Sequence, residues 1–363
     1  MIRVLQIVTY MGRGGLETML MNYYRNMDRH KVQFDFLVHR DFEADYDQEI
    51  LSMGGKIYHI SRLVPWSRKY RKELKSFFEN HPEYKIVHVH QDCLSSVALQ
   101  CAKECGIPIR IAHSHNINQD INIRYLIKLH YMKKIPNYAT EYFACSVEAG
   151  DWMFSGHSYH ILRNAIDASA YLYSADKAAQ MRKQLHVQNN FVIGHIGRFD
   201  PQKNHGFLIE VFSEILKMEP DATLLLIGDG KGRKKIEEKV KSLGLEDKVL
   251  FTGVRSDVAD LLQAIDVFVF PSLYEGLGIA AVEAQAAGIP CLLSDKVPIE
   301  CKMTTNTEFL SLKDSPKIWA RHILAYKNIP HMDTYKEIYN AGYDIKKNAA
   351  RLQEFYCNGV YDE

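Results

Sequence analysis

The chain predicts an α/β protein made of two doubly wound, Rossmann-like halves. Three observations carry this expectation. Short apolar runs alternate with stretches of helical period, the pattern of a parallel sheet with crossover helices. The alternation restarts after Asn164. Finally, 363 residues are long for a single core and comfortable for two.

In the first half the expected strands are Val4–Thr9, Phe34–His39, Ile57–Ile60, Ile86–His90, Ile109–Ala112 and Glu141–Cys145. In the second half they are Phe191–Ile196, Thr223–Ile227, Val249–Thr252, Val267–Phe270 and Cys291–Leu293. Each is a β-branched or aromatic run closed by glycine, proline or a polar cluster. Residues Tyr343 to Tyr356 read as a helix beyond the second sheet. The expected organisation is therefore a domain over 1–165, a second over 166–342, and a terminal helix within 343–363. Doubly wound sheets take ligands at the carboxyl ends of their strands, which puts the expected crevice between the two halves.

Composition narrows the function. Hydrophobic residues are 47% and charged residues 25%, ordinary globular values. With 45 basic and 44 acidic side chains the formal charge is +1, which gives no general reason to bind nucleic acid. The seven cysteines include no C-x-x-C pair, as suits a reduced compartment. The sequence opens directly on a strand, with no secretory apolar region, and no apolar run approaches the roughly 20 residues that span a bilayer. A cytoplasmic protein is expected.

The richest stretch is Pro271 to Glu283. A buried strand runs into a turn containing Gly276 and Gly278, then into the helix former Ile279-Ala-Ala-Val-Glu283. Free amides at such a helix start, here Gly276, Leu277, Gly278 and Ile279, suit an anion. Glu275 and Glu283 flank it with seven residues between them. Carboxylates repel phosphate but accept hydrogen bonds from polyols, so the pair points to a sugar joined to a phosphate. Upstream, the turn Gly197-Arg-Phe-Asp-Pro-Gln-Lys203 offers Arg198 as a planar donor fork and Lys203 as a point charge, both suited to a diphosphate. Gly14 and Gly15 in the first βα turn allow close backbone approach to a ligand, and Glu17 follows them. That turn lacks the dinucleotide fingerprint, so NAD is not expected.

Two His-x-His pairs, His88/His90 and His113/His115, lie on strands, where i and i+2 share a face. Such pairs either bind a metal or are satisfied by hydrogen bonds. No third ligand with a carboxylate base is evident, and no metal is expected. Asp45-Tyr-Asp47 reads as surface. The basic, amphipathic runs Arg62–Lys75 and Arg124–Lys134 read either as solvated helix faces or as peripheral contacts with an anionic membrane.

Taken together these motifs resemble the family-4 retaining glycosyltransferases of GT-B architecture. Glu275 and Glu283 resemble the family's E-x7-E motif. Arg198 and Lys203 resemble its Gly-Arg-x5-Lys pattern with one residue fewer between the cations, and Gly14, Gly15 and Glu17 resemble its Gly-Gly-x-Glu loop. The resemblance implies that the terminal helix crosses back to the first domain. It also implies transfer from a nucleoside diphosphate sugar, most simply a UDP-sugar, to a glycan or lipid-linked acceptor in surface polysaccharide assembly, with retention and no divalent metal. Within it, Glu283 would hold the ribose. Asp229 in Ile227-Gly-Asp-Gly230 and Val254 in Phe251-Thr-Gly-Val-Arg255 would line the nucleotide pocket, with Gly197 beside the diphosphate. One of His113 and His115 would contact the transferred sugar; the spacing from Pro108 leaves both open. The family's Asn-Gly-Ile-Asp junction is Asn164-Ala-Ile-Asp167 here, which predicts an altered backbone if that position needs positive φ. Two rival readings are a nucleotide-sugar epimerase of similar fold and a non-catalytic, two-lobed sugar-binding protein.

Overall fold

The computed structural model describes residues 1–115 and 123–361. The chain divides into two compact units, Met1–Ala165 with Ile345–Glu363, and Ile166–Asp344. In the first unit, strands β1 (Ile2–Val8), β2 (Val32–Val38), β3 (Ile57–His59), β4 (Ile86–Val89), β5 (Ile109–Ser114), β6 (Glu141–Ala144) and β7 (His160–Ile161) make one sheet. Its order is β3-β2-β1-β4-β5-β6-β7 and every pairing is parallel. In the second unit, β8 (Phe191–Ile196), β9 (Ala222–Ile227), β10 (Val249–Gly253), β11 (Val267–Phe270), β12 (Cys291–Ser294) and β13 (Thr307–Leu310) form a parallel sheet in the order β10-β9-β8-β11-β12-β13.

Helices cover both faces of each sheet, so β2, β4, β9, β11 and β12 are buried at every residue. Most of their side chains are apolar for that reason, with Gln33, Asp35 and His88 among the buried polar exceptions. The strand order reverses between β1 and β4 in one unit and between β8 and β11 in the other. The loops leaving these four strands are where doubly wound sheets place ligands.

The terminal helix Ile345–Asn358 buries Ile345, Ala349, Leu352, Phe355 and Tyr356, a stripe at helical spacing. These side chains join Val4, Phe34, Phe36 and Phe143 in the core of the first unit. Among the described residues no helix is long and apolar enough to cross a membrane.

Two local findings differ from the sequence expectation, and a third concerns the junction. Two strands were not anticipated, β7 and β13. Both lie at sheet edges; β7 has two residues and β13 carries Glu308, so neither shows a buried apolar run. Asp47 is buried rather than on the surface: its Oδ2 accepts from the Ala44 amide at 2.9 Å at the start of helix Asp47–Ser52. Asp45 is exposed, as expected. At the junction, Ala165 is not among the residues of positive φ. Its carbonyl accepts from Asn22 Nδ2 at 3.1 Å, and Asp167 caps the next turn by accepting from the Ser169 amide at 3.2 Å. Alanine therefore carries no strain there.

Candidate active site

In the second unit the site is built from the loops that leave β8 and β11. Asp200 opens a 3-10 turn over Pro201–Lys203 by accepting from the Lys203 amide at 3.3 Å. The following Asn204 takes the left-handed conformation, which turns the chain into helix His205–Leu216. Three hydrogen bonds stitch this loop to the one after β11. The Leu273 amide donates to the Gln202 carbonyl at 2.8 Å, Gln202 Nε2 to the Tyr274 carbonyl at 3.0 Å, and Asn204 Nδ2 to the Pro271 carbonyl at 3.2 Å.

That stitching brings two of the expected residues into contact. Lys203 Nζ pairs with Glu275 Oε1 at 2.6 Å, with side-chain exposures of 16% and 6%. The same ammonium sits 4.5 Å from the centre of the Phe270 ring. An ion pair so shielded from water is far stronger than a surface pair, and it fixes the ammonium and the carboxylate relative to each other. Arg198 is placed differently. Its side chain is 73% exposed and its Nε donates to Asp200 Oδ2 at 2.9 Å.

Gly276, Leu277 and Gly278 carry the chain from Glu275 into helix Ile279–Ala286. Gly278 has φ +73°, and a Cβ there would lie 2.8 Å from Phe270 Cε1, so only glycine fits without strain. Leu277 is buried and its carbonyl accepts from the Cys301 thiol. The amides of Gly278 and Ile279 open the helix and, like the first N–H groups of any helix, have no intrahelical acceptor.

Glu283 lies one turn further along, on a helix whose residues from Ala280 to Ala286 are all buried. Its Oε1 accepts from the Tyr171 hydroxyl at 2.9 Å. Burial pushes its carboxyl up to about 7, and the Tyr171 hydrogen bond only partly opposes that. The two carboxylates thus have separate partners, Lys203 for Glu275 and Tyr171 for Glu283.

The nucleotide-side residues expected from the sequence lie outward along the sheet. The Phe199 amide donates to the Asp229 carbonyl at 3.1 Å, so the glycine turn after β9 abuts the Gly197 loop. The Asp229 carboxylate accepts from the Gly230 amide at 2.6 Å and pairs with Arg233 at 3.4 Å. Val254 follows β10, one strand further out, and is 58% exposed.

In the first unit, Gly14 is the N-cap of helix Gly15–Asn26, and Glu17 occupies the first turn. A Cβ on Gly14 would lie 2.3 Å from Glu17 Oε2, so the carboxylate folds back over the start of the helix. His113 is the next-to-last residue of β5 and His115 follows the strand. Their rings stack with centroids 4.0 Å apart. His113 Nδ1 bonds His88 Nε2 at 3.0 Å, and His115 Nε2 bonds His90 Nδ1 at 2.8 Å. Burial drives all four imidazoles toward the neutral form. Nitrogens of His88, His90 and His113 lie within 4.8 Å of one another, close enough to hold a metal. The same imidazoles are hydrogen-bonded to one another through the His88–His113 and His90–His115 contacts.

Sequence reasoning missed Tyr171, Phe270, Gln6 and Tyr356 as members of these clusters. Gln6 was detectable as a buried polar residue in the middle of an otherwise apolar stretch, Val4–Val8; the others look like ordinary core.

Known proteins place the chain. Residues 176–344 match the family described as Glycosyl transferases group 1, and residues 13–170 match Glycosyltransferase Family 4. EpsF of Bacillus subtilis (strain 168), a glycosyltransferase by name, is 34% identical over 98% of this chain and 96% of its own length. The Escherichia coli UDP-Gal:alpha-D-GlcNAc-diphosphoundecaprenol alpha-1,3-galactosyltransferase is 27% identical over 77% of each chain. Among solved structures, Anabaena HepE in complex with UDP and glucose superposes with a TM-score of 0.76 at 18% identity, covering 98% of this chain and 95% of that one. Sucrose-phosphate synthase from Thermosynechococcus elongatus gives 0.76 at 17% identity, covering 98% of both. The chain thus has the GT-B fold and belongs to the family-4 glycosyltransferases: it is an enzyme of glycosyl transfer.

Proposed function

We propose that the enzyme moves a sugar from a nucleoside diphosphate sugar, a UDP-sugar, to a glycan or lipid-linked acceptor, with retention at the anomeric carbon. The shielded Lys203–Glu275 pair beside the glycine-rich helix start is the observation that carries this reading. It sets a cation and a hydroxyl acceptor side by side, as a phosphate joined to a sugar requires. Lys203, Arg198 and the Gly278 and Ile279 amides meet the negative charge that grows on the departing diphosphate. Glu275 accepts from the sugar hydroxyls and Glu283 from the ribose, while Asp229, Val254 and Gly197 border the nucleotide. For the first unit the reading assigns the acceptor and the donor phosphate to the Gly14–Glu17 turn, and the transferred sugar to one of His113 and His115. The departing phosphate takes the acceptor proton, and in this reading no divalent metal is needed.

The E. coli relative named for UDP-Gal and the UDP-bound Anabaena structure support the choice of donor, and partial relatives named for lipopolysaccharide core and Vi polysaccharide biosynthesis support a place in polysaccharide assembly. A lipid-linked acceptor is supported by a cavity of about 870 Å³ in the first unit, lined in part by Arg62, Lys69 and Lys72. Nearby Trp66 is 67% exposed on a basic segment suited to an anionic bilayer surface. The seven free cysteines support a cytoplasmic setting. The test incubates the enzyme with each UDP-sugar and a polyprenyl-diphosphate sugar acceptor. The reading expects UDP release coupled to acceptor mass gain, with the donor's anomeric configuration kept in the product's NMR spectrum. Epimerised donor without mass gain, or UDP-sugar binding without turnover, would replace it with one of the two rivals.

A further inference from the structure

The four histidines of the first unit form two hydrogen-bonded rungs, each anchored by a residue the proposed function does not use. Gln6 on β1 stands opposite His88 on β4, so both strands send these side chains to one face. In one rung, Gln6 Oε1 bonds His90 Nε2 at 2.8 Å and His90 Nδ1 bonds His115 Nε2 at 2.8 Å. In the other, the Tyr356 hydroxyl bonds His88 Nδ1 at 2.8 Å and His88 Nε2 bonds His113 Nδ1 at 3.0 Å. Tyr356 comes from the terminal helix, 268 residues away from His88.

A neutral imidazole has one N–H and one lone pair, so an anchor at one end sets the direction of the whole rung. The Gln6 carbonyl oxygen can only accept. His90 Nε2 therefore carries the proton, His90 Nδ1 accepts from His115 Nε2, and His115 Nδ1 is left with a lone pair. A phenol is a better donor than acceptor, so Tyr356 donates to His88 Nδ1. His88 Nε2 then donates to His113 Nδ1, and His113 Nε2 keeps its hydrogen. The rungs end in opposite senses, a donor at His113 Nε2 and an acceptor at His115 Nδ1. Both atoms are buried and neither has a partner among the described residues. Buried polar atoms rarely stay unpaired, and a hydroxyl group, which donates and accepts, matches both ends.

We propose that Gln6 and Tyr356 are positioning residues that fix the tautomers of this imidazole ladder, so that His113 and His115 read carbohydrate hydroxyls as a fixed donor and a fixed acceptor. This rests on the glycosyl-transfer reading given above. It also assigns the terminal helix a part in substrate reading, through Tyr356, beyond its packing.

The test uses the full enzyme labelled with 15N-histidine, together with Tyr356→Phe and Gln6→Leu. Two-bond 1H–15N correlations should show all four ladder histidines as Nε2–H tautomers. Tyr356→Phe should let His88 and His113 populate both tautomers, and Gln6→Leu should do so for His90 and His115. With a UDP-sugar that the wild type turns over, Tyr356→Phe should lower kcat by about tenfold, the scale of one hydrogen bond lost. Inhibition by UDP, which carries no sugar, should stay within about twofold. Unchanged tautomers in both variants would overturn the proposal, as would equal losses in kcat and UDP affinity, or a stoichiometric bound metal in the purified protein. A wild type that turns over no UDP-sugar defeats the donor reading instead, while the tautomer measurement still decides the ladder.

Discussion

Glu283→Gln gives the sharpest test of the donor site, because burial and charge act in a known direction there. The wild-type carboxyl is held at about 7, against 4.5 in the unfolded chain, chiefly by burial on helix Ile279–Ala286. Because the folded-state pKa lies above the unfolded value, stability is fully present below pH 4.5 and is lost as pH rises through about 7. The gap of roughly two and a half powers of ten corresponds to about 3 kcal/mol between pH 4.5 and pH 8. Glutamine keeps the acceptor for Tyr171 and removes the charge, so the variant lacks this slope whatever its constant offset. The assay is thermal unfolding of the ligand-free protein from pH 4.5 to 8.5. The wild type should lose several degrees relative to the variant across that range, at about 2–4 °C per kcal/mol for a unit of this size. A ribose that donates to the ionised carboxylate should relieve the burden. UDP-glucose, whose diphosphate does not titrate in this window, should therefore bind the wild type about tenfold or more tightly at pH 8 than at pH 5. Binding to the variant should be flat with pH. Parallel unfolding curves for the two proteins would refute the reasoning.

Three further outcomes are expected. Tyr171→Phe removes the donor that partly offsets burial at Glu283, so the variant should lose roughly 1–3 kcal/mol at pH 8 and little at pH 5; equal losses at both would show that the hydroxyl acts on packing alone. Arg198→Ala should leave the melting temperature almost unchanged, since the side chain is 73% exposed. The same variant should lower kcat/KM roughly 10- to 150-fold, the value of one charge-assisted hydrogen bond, and near-wild-type turnover would remove Arg198 from the leaving-group contacts. Gly278→Ala must place a Cβ at φ +73° and 2.8 Å from Phe270 Cε1, and a loss of about 1–3 kcal/mol is expected; an unchanged melting temperature would show that the turn relaxes freely.

The fold was legible because parallel strands covered on both faces are mostly apolar, as Val267–Phe270 and Leu224–Ile227 are. β7 and β13 left no signal because β7 has only two residues and β13 is a four-residue strand carrying Glu308. The loops of the site were legible for a different reason. Glycine at Gly278 and paired charges at Lys203 and Glu275 are local features, readable without a partner in view. What the sequence hid is the set of long-range contacts. Tyr171 reaches Glu283 across 112 residues and Gln6 reaches His90 across 84, and no periodicity encodes either meeting. The histidine pairs show this most plainly. Spacing put each pair on one strand face, but only the pairing of β4 with β1 and β5 brings the two pairs together as rungs.

The claim that the second unit grips a nucleoside diphosphate sugar through the loops after β8 and β11 is tested most directly by diffraction from crystals soaked in UDP. The account predicts diphosphate oxygens within hydrogen-bonding distance of Arg198, Lys203 and the Gly278 or Ile279 amide, with the ribose hydroxyls on Glu283. Nucleotide density elsewhere on the protein, or a diphosphate at this loop that leaves both cations untouched, would contradict it.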